Sequence, residues 1–384
     1  MTRLGSKLPF AEAAEEVWYS HQTEVAETTL RRVTYENGRA AEAVSRQEVE
    51  MLYRDAPEAE ARPKHVEVSV DGAFIHLTNG DWREVKTLSI GEFETVWDKT
   101  TWEATVKSHS HTYFSRSYRA REFEHYALGE LHRRGLAHAE KVVSVNDGAA
   151  VNQSFLDYHF LDVVRIIDFR HTTGYLAEAA KAVWGEGSEN GKQWLVQACH
   201  HLKYRPPQQT VANLRLLAPK AKNEEQMAKV DEATFYIQNR LPMMDYPHFR
   251  KQGFPIGSGS VESGHKVVVQ RRMKGAGMRW AEEHVDPLLA LRNAVCNHRW
   301  PATWEHIVCY RQEQQVRERL AAVAARKSPP AAPLTFTSLR AVGLLLEDDL
   351  PLDAPLPKKN PWRPAPDHPW RNNKWPSKHA WRWN

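Results

Sequence analysis

From residue 64 the apolar positions fall into a period of two: Val66, Val68 and Val70 alternate with Glu67, Ser69 and Asp71, and Gly72 leads into a second apolar stretch over residues 73–77. That period belongs to a strand, because successive side chains leave a pleated backbone on opposite faces. Asn79-Gly80-Asp81 is a strong hairpin signal, so residues 82–90 read as the returning strand. The pattern then predicts a third strand near 112–115, a helix over 119–134, a strand over 141–145, a helix over 150–160 and a strand over 163–167.

Three hairpin-linked strands followed by alternating helices and strands give a mixed five-stranded sheet in which the first strand is central and the fourth pairs beside it through a crossover helix. That order is the ribonuclease-H-like arrangement, so the predicted class is α/β, with Asp71 on the first strand and Asp147 at the end of the fourth as neighbours. Around this core the chain divides into a helical amino-terminal region (1–60), the first part of the core (61–170), a helical insertion (171–253), the last part of the core (254–326) and an extended arm (327–384). In the first region Phe10, Ala13, Ala14 and Val17 form one helical stripe, and Val25, Leu30, Val33, Ala41 and Val44 mark later helices, with Ser20 and Thr28 as candidate caps. Short helices joined tightly there would form a helix-turn-helix with residues 29–32 near DNA, although helices packed only as core fit the same pattern. Gly185-Glu186-Gly187 and Pro206-Pro207 break the insertion, and a further helix is predicted over 282–298, with Val285, Leu288, Leu289, Arg292 and Val295 at helical spacing. The arm interleaves Trp362, Trp370, Trp375, Trp381 and Trp383 with Arg, Lys and His, a composition that builds no core alone.

With 384 residues and 41% hydrophobic content the chain can bury one sizeable core, which excludes a single short module. A net charge of +4 is too small to name a partner, so the distribution of charge carries the argument. Residues 266–279 hold Lys266, Arg271, Arg272, Lys274 and Arg279 without an acid between them. No apolar run approaches the roughly 20 residues of a bilayer span and no signal peptide follows Met1, so the expected location is cytoplasmic, without a membrane partner. Cys199, Cys296 and Cys309 lack metal-ligand spacing and are expected to be reduced thiols.

The stretch 254–280, FPIGSGSVESGHKVVVQRRMKGAGMRW, sets Glu262 between a glycine-serine loop and a basic run expected to be helical. Phosphodiester cleavage needs a strong oxygen nucleophile and neutralisation of the leaving oxygen, and two Mg2+ or Mn2+ ions roughly 3.5–4 Å apart supply both. Such hard cations take oxygen ligands, so Asp71, Asp147 and Glu262 suffice as the catalytic and metal-binding set. Each acid also has a local explanation: Asp71-Gly72 and Asp147-Gly148 are ordinary turn pairs, and a helix dipole favours Glu262 in a first turn. Asp168 and His171, three residues apart after the fifth strand, cap a helix or else position DNA or support the metal site. Lys266, Arg271, Arg272, Lys274 and Arg279 are expected on phosphates, with Trp280 stacking on a base and His265 near the scissile phosphate.

The motif GSGSVESGHKVVVQRRMKGAGMRW, together with VSVDGAF, VNDGAA and IIDFRH, resembles the bacterial insertion-sequence transposases of the Kra-four type, a branch of the Mutator-like group. The likeness runs from about Leu8 to Arg371. It implies a ribonuclease-H-like domain interrupted by a helical insertion, with an acidic DDE triad at Asp71, Asp147 and Glu262 and an Asp-x-x-His element at Asp168 and His171. It also implies Mg2+-dependent cutting of double-stranded DNA at terminal inverted repeats and joining to target DNA by a homodimer or larger homo-oligomer on paired ends. Two departures stand out. Arg170 occupies the place before the histidine where the family commonly has an aromatic residue, and little room remains before the first helices for a further amino-terminal DNA-binding module. The competing expectations are a domesticated or truncated DNA-binding descendant that does not transpose, and a related structure-selective nuclease.

Overall fold

The computed structural model describes residues 1–99, 102–160 and 162–327; the tryptophans of the arm and the end of the family likeness near Arg371 lie outside the described residues. Strands β1 (His65–His76), β2 (Trp82–Asp98) and β3 (Glu103–Arg116) form an antiparallel meander. β4 (Lys141–Asn146) and β5 (Val164–Ile167) add in parallel, giving a mixed five-stranded sheet in the order β3-β2-β1-β4-β5. The β1–β2 turn is closed as its sequence demands: Gly80 has φ 93°, the Asp81 amide donates to Asn79 Oδ1 at 3.0 Å, and His76 pairs with Trp82.

Side-chain alternation on β1 divides its neighbours. Val66, Val68 and Val70 point to one face, where α4 (Ala120–Arg133) and α5 (Ala150–His159) cover them with Phe123, Ala127, Leu131, Phe155 and Leu156. The opposite face is polar at Glu67, Ser69 and Asp71 and apolar at Ile75 and Leu77. Its apolar half packs on α13 (Val285–Cys296) and on the amino-terminal helices α1 (Thr2–Lys7), α2 (Phe10–His21) and α3 (Glu27–Leu52). Its polar half lies beneath α11 (Gly259–Gly264).

Several expectations are corrected. β2 and β3 continue well past residues 90 and 112, because residues 92–98 pair with 103–109 across the hairpin, and the few apolar side chains there, such as Phe93 and Val106, set no period to read. The later amino-terminal helices, expected from Leu30 to Val44, are one: α3 is a single helix of 26 residues. Its Gly38 sits so close to α13 that a Cβ would lie 2.6 Å from the Pro287 carbonyl oxygen. Ser20 lies inside α2 and Thr28 inside α3, whose N-cap is Ala26, so neither caps a helix. The basic run is helical, as expected, as far as Met273: a π-helix over His265–Gln270 passes into a short α12 (Arg271–Met273). Arg292 of α13 donates to the Val267 and Val268 carbonyls, occupying acceptors within that irregular turn.

The insertion comprises α6 (Phe169–Trp184), α7 (Glu189–Tyr204), α8 (Pro207–Leu217), α9 (Glu224–Gln238) and α10 (Tyr246–Lys251), with breaks at the glycine and proline pairs. Leu176, Leu202, Leu214 and Ile237 from these helices share a core with Val143, Val145, Ile166 and Ile167 of β4 and β5. A last helix, α14 (Trp300–Lys327), follows α13. Among the described residues no helix is long and apolar enough to cross a membrane, and all three cysteines are free.

Candidate active site

Asp71, Asp147 and Glu262, drawn from three elements far apart in sequence, line one cleft of about 400 Å³. The floor of the cleft is stitched by a residue the sequence reading passed over. Buried Asn146 accepts the Val70 amide on its side-chain oxygen at 2.7 Å and donates to Ser144 Oγ at 2.6 Å, tying β4 to β1 one residue before each aspartate. A lone buried asparagine carries no periodic signal, which is why only its partners reveal it.

Asp71 is mid-strand, opposite Thr87, and its Oδ1 accepts the Gly72 amide at 2.8 Å. Burial raises its carboxyl above the ordinary aspartate value; the nearby Asp147 and Glu262 charges raise it further, while His265 opposes them. Asp147 Oδ1 accepts from the Ala149 amide at 2.9 Å and Asn152 Nδ2 at 2.8 Å, and its carbonyl accepts the Tyr236 hydroxyl of α9 at 2.6 Å. The Asp147-Gly148 turn is therefore real and also aims the acid. Gly148 has φ 79°, and a Cβ there would meet Ile167 at 2.7 Å, so no other residue fits without displacement. Glu262 lies in the first turn of α11, with Arg170 Nη1 3.8 Å from its carboxylate; among the described residues Arg170 is the one Lys or Arg lining the cleft.

The DNA-contact expectations divide. Lys266, Arg271, Lys274, Arg279 and His171 are exposed, and His171 lines the cleft beside Tyr175 and Tyr236. Four other residues are turned away from DNA, Asp168 taking instead the capping role also expected of it. Arg272 is 2% exposed, donates to the Gly5 carbonyl at 3.0 Å and stacks on Phe10 and Trp280. Trp280 is itself buried, its indole N–H spent on the Met273 carbonyl at 2.9 Å, so it has no face for a base. His265 is buried against Asp71 at 3.6 Å, and burial lowers its pKa against the pull of the Asp71 charge. Asp168 is buried, and both of its oxygens are committed: one accepts the His171 amide at 2.7 Å as N-cap of α6, the other accepts the Ser258 amide and hydroxyl. It therefore anchors the loop that carries Glu262.

Asp168→Ala is expected to cost about 2–4 kcal/mol, from a lost cap and stranded donors. Urea unfolding of the variant measures this, and a loss under about 0.5 kcal/mol would contradict the anchor.

The donor set suits a hard divalent cation chemically: three carboxylates whose mutual repulsion raises Asp71 gain from an added positive charge. Geometrically, no group of three His, Cys, Asp or Glu side chains is already gathered for a metal ion among the described residues. No protein-family model matches the chain, and a search of curated proteins finds no match.

Proposed function

We propose that the protein is a DNA-cutting enzyme of the two-metal type and, more narrowly, a DDE transposase built on a ribonuclease-H-like core. The observation that carries this reading is the convergence of Asp71, Asp147 and Glu262 in one cleft at the junction of β1, β4 and α11. The sheet order, with β1 central and β4 parallel beside it, supports the core assignment. Mg2+ or Mn2+ would be held by those three carboxylates; when bound, the ions acidify the attacking water or 3′-hydroxyl and neutralise the leaving oxygen.

The chain's own residues supply the rest. Asn146 and Asp168 hold the aspartate and glutamate backbones in place, and buried His265 stands 3.6 Å from the Asp71 carboxylate. Arg170, at the start of α6, sets a cation against the cleft, where it can pass from Glu262 to a substrate phosphate. Exposed Lys266, Arg271, Lys274 and Arg279 follow directly from α11 and suit a phosphate backbone. On this reading the partners are duplex element ends and target DNA, engaged by a multimer.

The test incubates purified protein with a labelled element end, a target plasmid and Mg2+, and sizes the products. Joined strands support transposition; free cut ends alone select a structure-selective nuclease. A second reading, a DNA binder that does not cut, draws on the absence of a preassembled three-ligand group among the described residues. Tight binding with no nicking under Mg2+ or Mn2+ would select it.

A further inference from the structure

Glu67 shares its strand and its face with Asp71, four residues earlier on β1, yet it lies outside the acid cleft. It is 1% exposed, an unusual place for a carboxylate. Ser260 of α11 donates its hydroxyl to Glu67 Oε1 at 3.1 Å and lies 3.5 Å from Ser69 Oγ, while Ser108 of β3 adds another hydrogen bond to Glu67. Thus α11 lies along the polar half of β1 with Ser260 over Glu67, and two residues later Glu262 stands beside Asp71 in the cleft.

The far end of α11 is held by packing, for it runs into the π-helix, Val261 is buried, and a Cβ at Gly264 would lie 2.7 Å from Tyr113. Its near end is not: a Cβ at Gly257 or Gly259 would meet nothing within 4 Å, so packing does not clamp the loop that leads into it. Its tethers are polar: the Phe169 amide to the Ile256 carbonyl at 2.9 Å, Ser258 to Asp168, and Ser260 to Glu67.

We propose that Glu67 is a positioning residue, setting the placement of α11, and through it the Glu262 carboxylate, by accepting the Ser260 hydroxyl from beneath the helix. The inference rests on the nuclease reading only for its effect on cutting; the placement of α11 is measurable without it. Burial pushes the Glu67 carboxyl up to about 7, against the hydrogen bonds of Ser260, Ser108 and Ser69, with the Asp168 charge adding to the rise. Among the described residues, the other charged or titratable groups lining the adjoining cleft of about 510 Å³ are His111 of β3, Lys203 of α7 and Arg250 of α10. Ionised, Glu67 is an acceptor only and takes charge-assisted bonds from all three serines; protonated, it becomes a donor and gives one of them up.

The local tether therefore tightens as pH rises through about 7. Global stability moves the other way. A carboxyl whose folded value lies above its ordinary 4.5 binds its proton more tightly in the native state, so stability falls as pH rises from about 4.5 to about 7.

The experiment is hydrogen exchange across residues 255–264, corrected for intrinsic pH dependence, in the full chain and in Glu67→Gln, Glu67→Ala and Ser260→Ala. Ser260→Ala removes only a hydroxyl and serves if Glu67→Ala fails to fold. The expected result is protection rising through pH 7 in the parent, a flat profile in Glu67→Gln, and about tenfold faster exchange in Ser260→Ala and Glu67→Ala. For cutting, kcat is expected to fall severalfold in Ser260→Ala with KM for DNA unchanged. Parent-like exchange in both Ser260→Ala and Glu67→Ala overturns the proposal. If the parent cuts no DNA the nuclease reading fails, and the exchange profiles still decide whether Glu67 places α11.

Discussion

Asp71→Asn is expected to lower Mg2+-dependent DNA cutting by about 10³-fold or more while leaving DNA affinity within about threefold, since a metal ligand supplies several kcal/mol of charge stabilisation in the transition state. The substitution keeps the shape of the side chain and its acceptor for the Gly72 amide, so the strand loses no packing. It removes one negative charge from a cleft where Asp147 and Glu262 already raise the Asp71 carboxyl, and the folded protein should be no less stable for it. Glu262→Gln should behave likewise, and it ends the contact with Arg170. Single-turnover cutting, DNA titration and urea unfolding, run on the same preparations, separate chemistry from binding and folding. Full activity in either variant would remove that acid from the catalytic set.

The second large effect concerns stability. Arg272→Ala is expected to cost about 2–4 kcal/mol, because it empties a buried site between Phe10 and Trp280 and strands the Gly5 carbonyl. Burial pushes the guanidinium down to about 10, so it is still charged at neutral pH and bears a desolvation cost. Arg272→Met, which fills the volume without the charge, should therefore stay within about 1.5 kcal/mol of the parent. Neither change should alter the salt dependence of DNA binding, whereas exposed Arg271→Ala should reduce the slope by about one with little effect on stability. Loss of DNA affinity in Arg272→Ala at parent stability would show that this side chain reaches solvent after all.

The contrast between these two arginines marks what the sequence could convey. Within RRMK, adjacent cations look alike, and only the packing of α2 and Trp280 around α12 makes one a core residue and its neighbour a surface charge. Trp280 misleads for the same reason: an indole beside basic residues suits base stacking, yet its pairing with Leu77 next to the β1–β2 turn buries it. The far half of the β2–β3 hairpin is illegible in sequence because its few apolar residues, Phe93, Val96, Trp97 and Val106, set no two-residue period and the two strands take their form from each other. In sequence Asp168 fits a cap, a DNA contact or a metal support alike, and only Ser258, ninety residues away, on its second oxygen makes it an anchor.

What the sequence determined by itself was the local grammar: a two-residue period and an Asn-Gly-Asp turn for β1 and β2, the alternation of helices and strands that follows, and the breaks at Gly185 to Gly187 and at Pro206-Pro207. These depend on neighbours within a few positions, where backbone preference and side-chain periodicity act. Tertiary structure decided which charges are buried, which carboxylates meet in one cleft and which instead hold a loop. Burial and pairing depend on contacts between residues distant along the chain, and the free energy of a charged group changes more with those surroundings than with its identity.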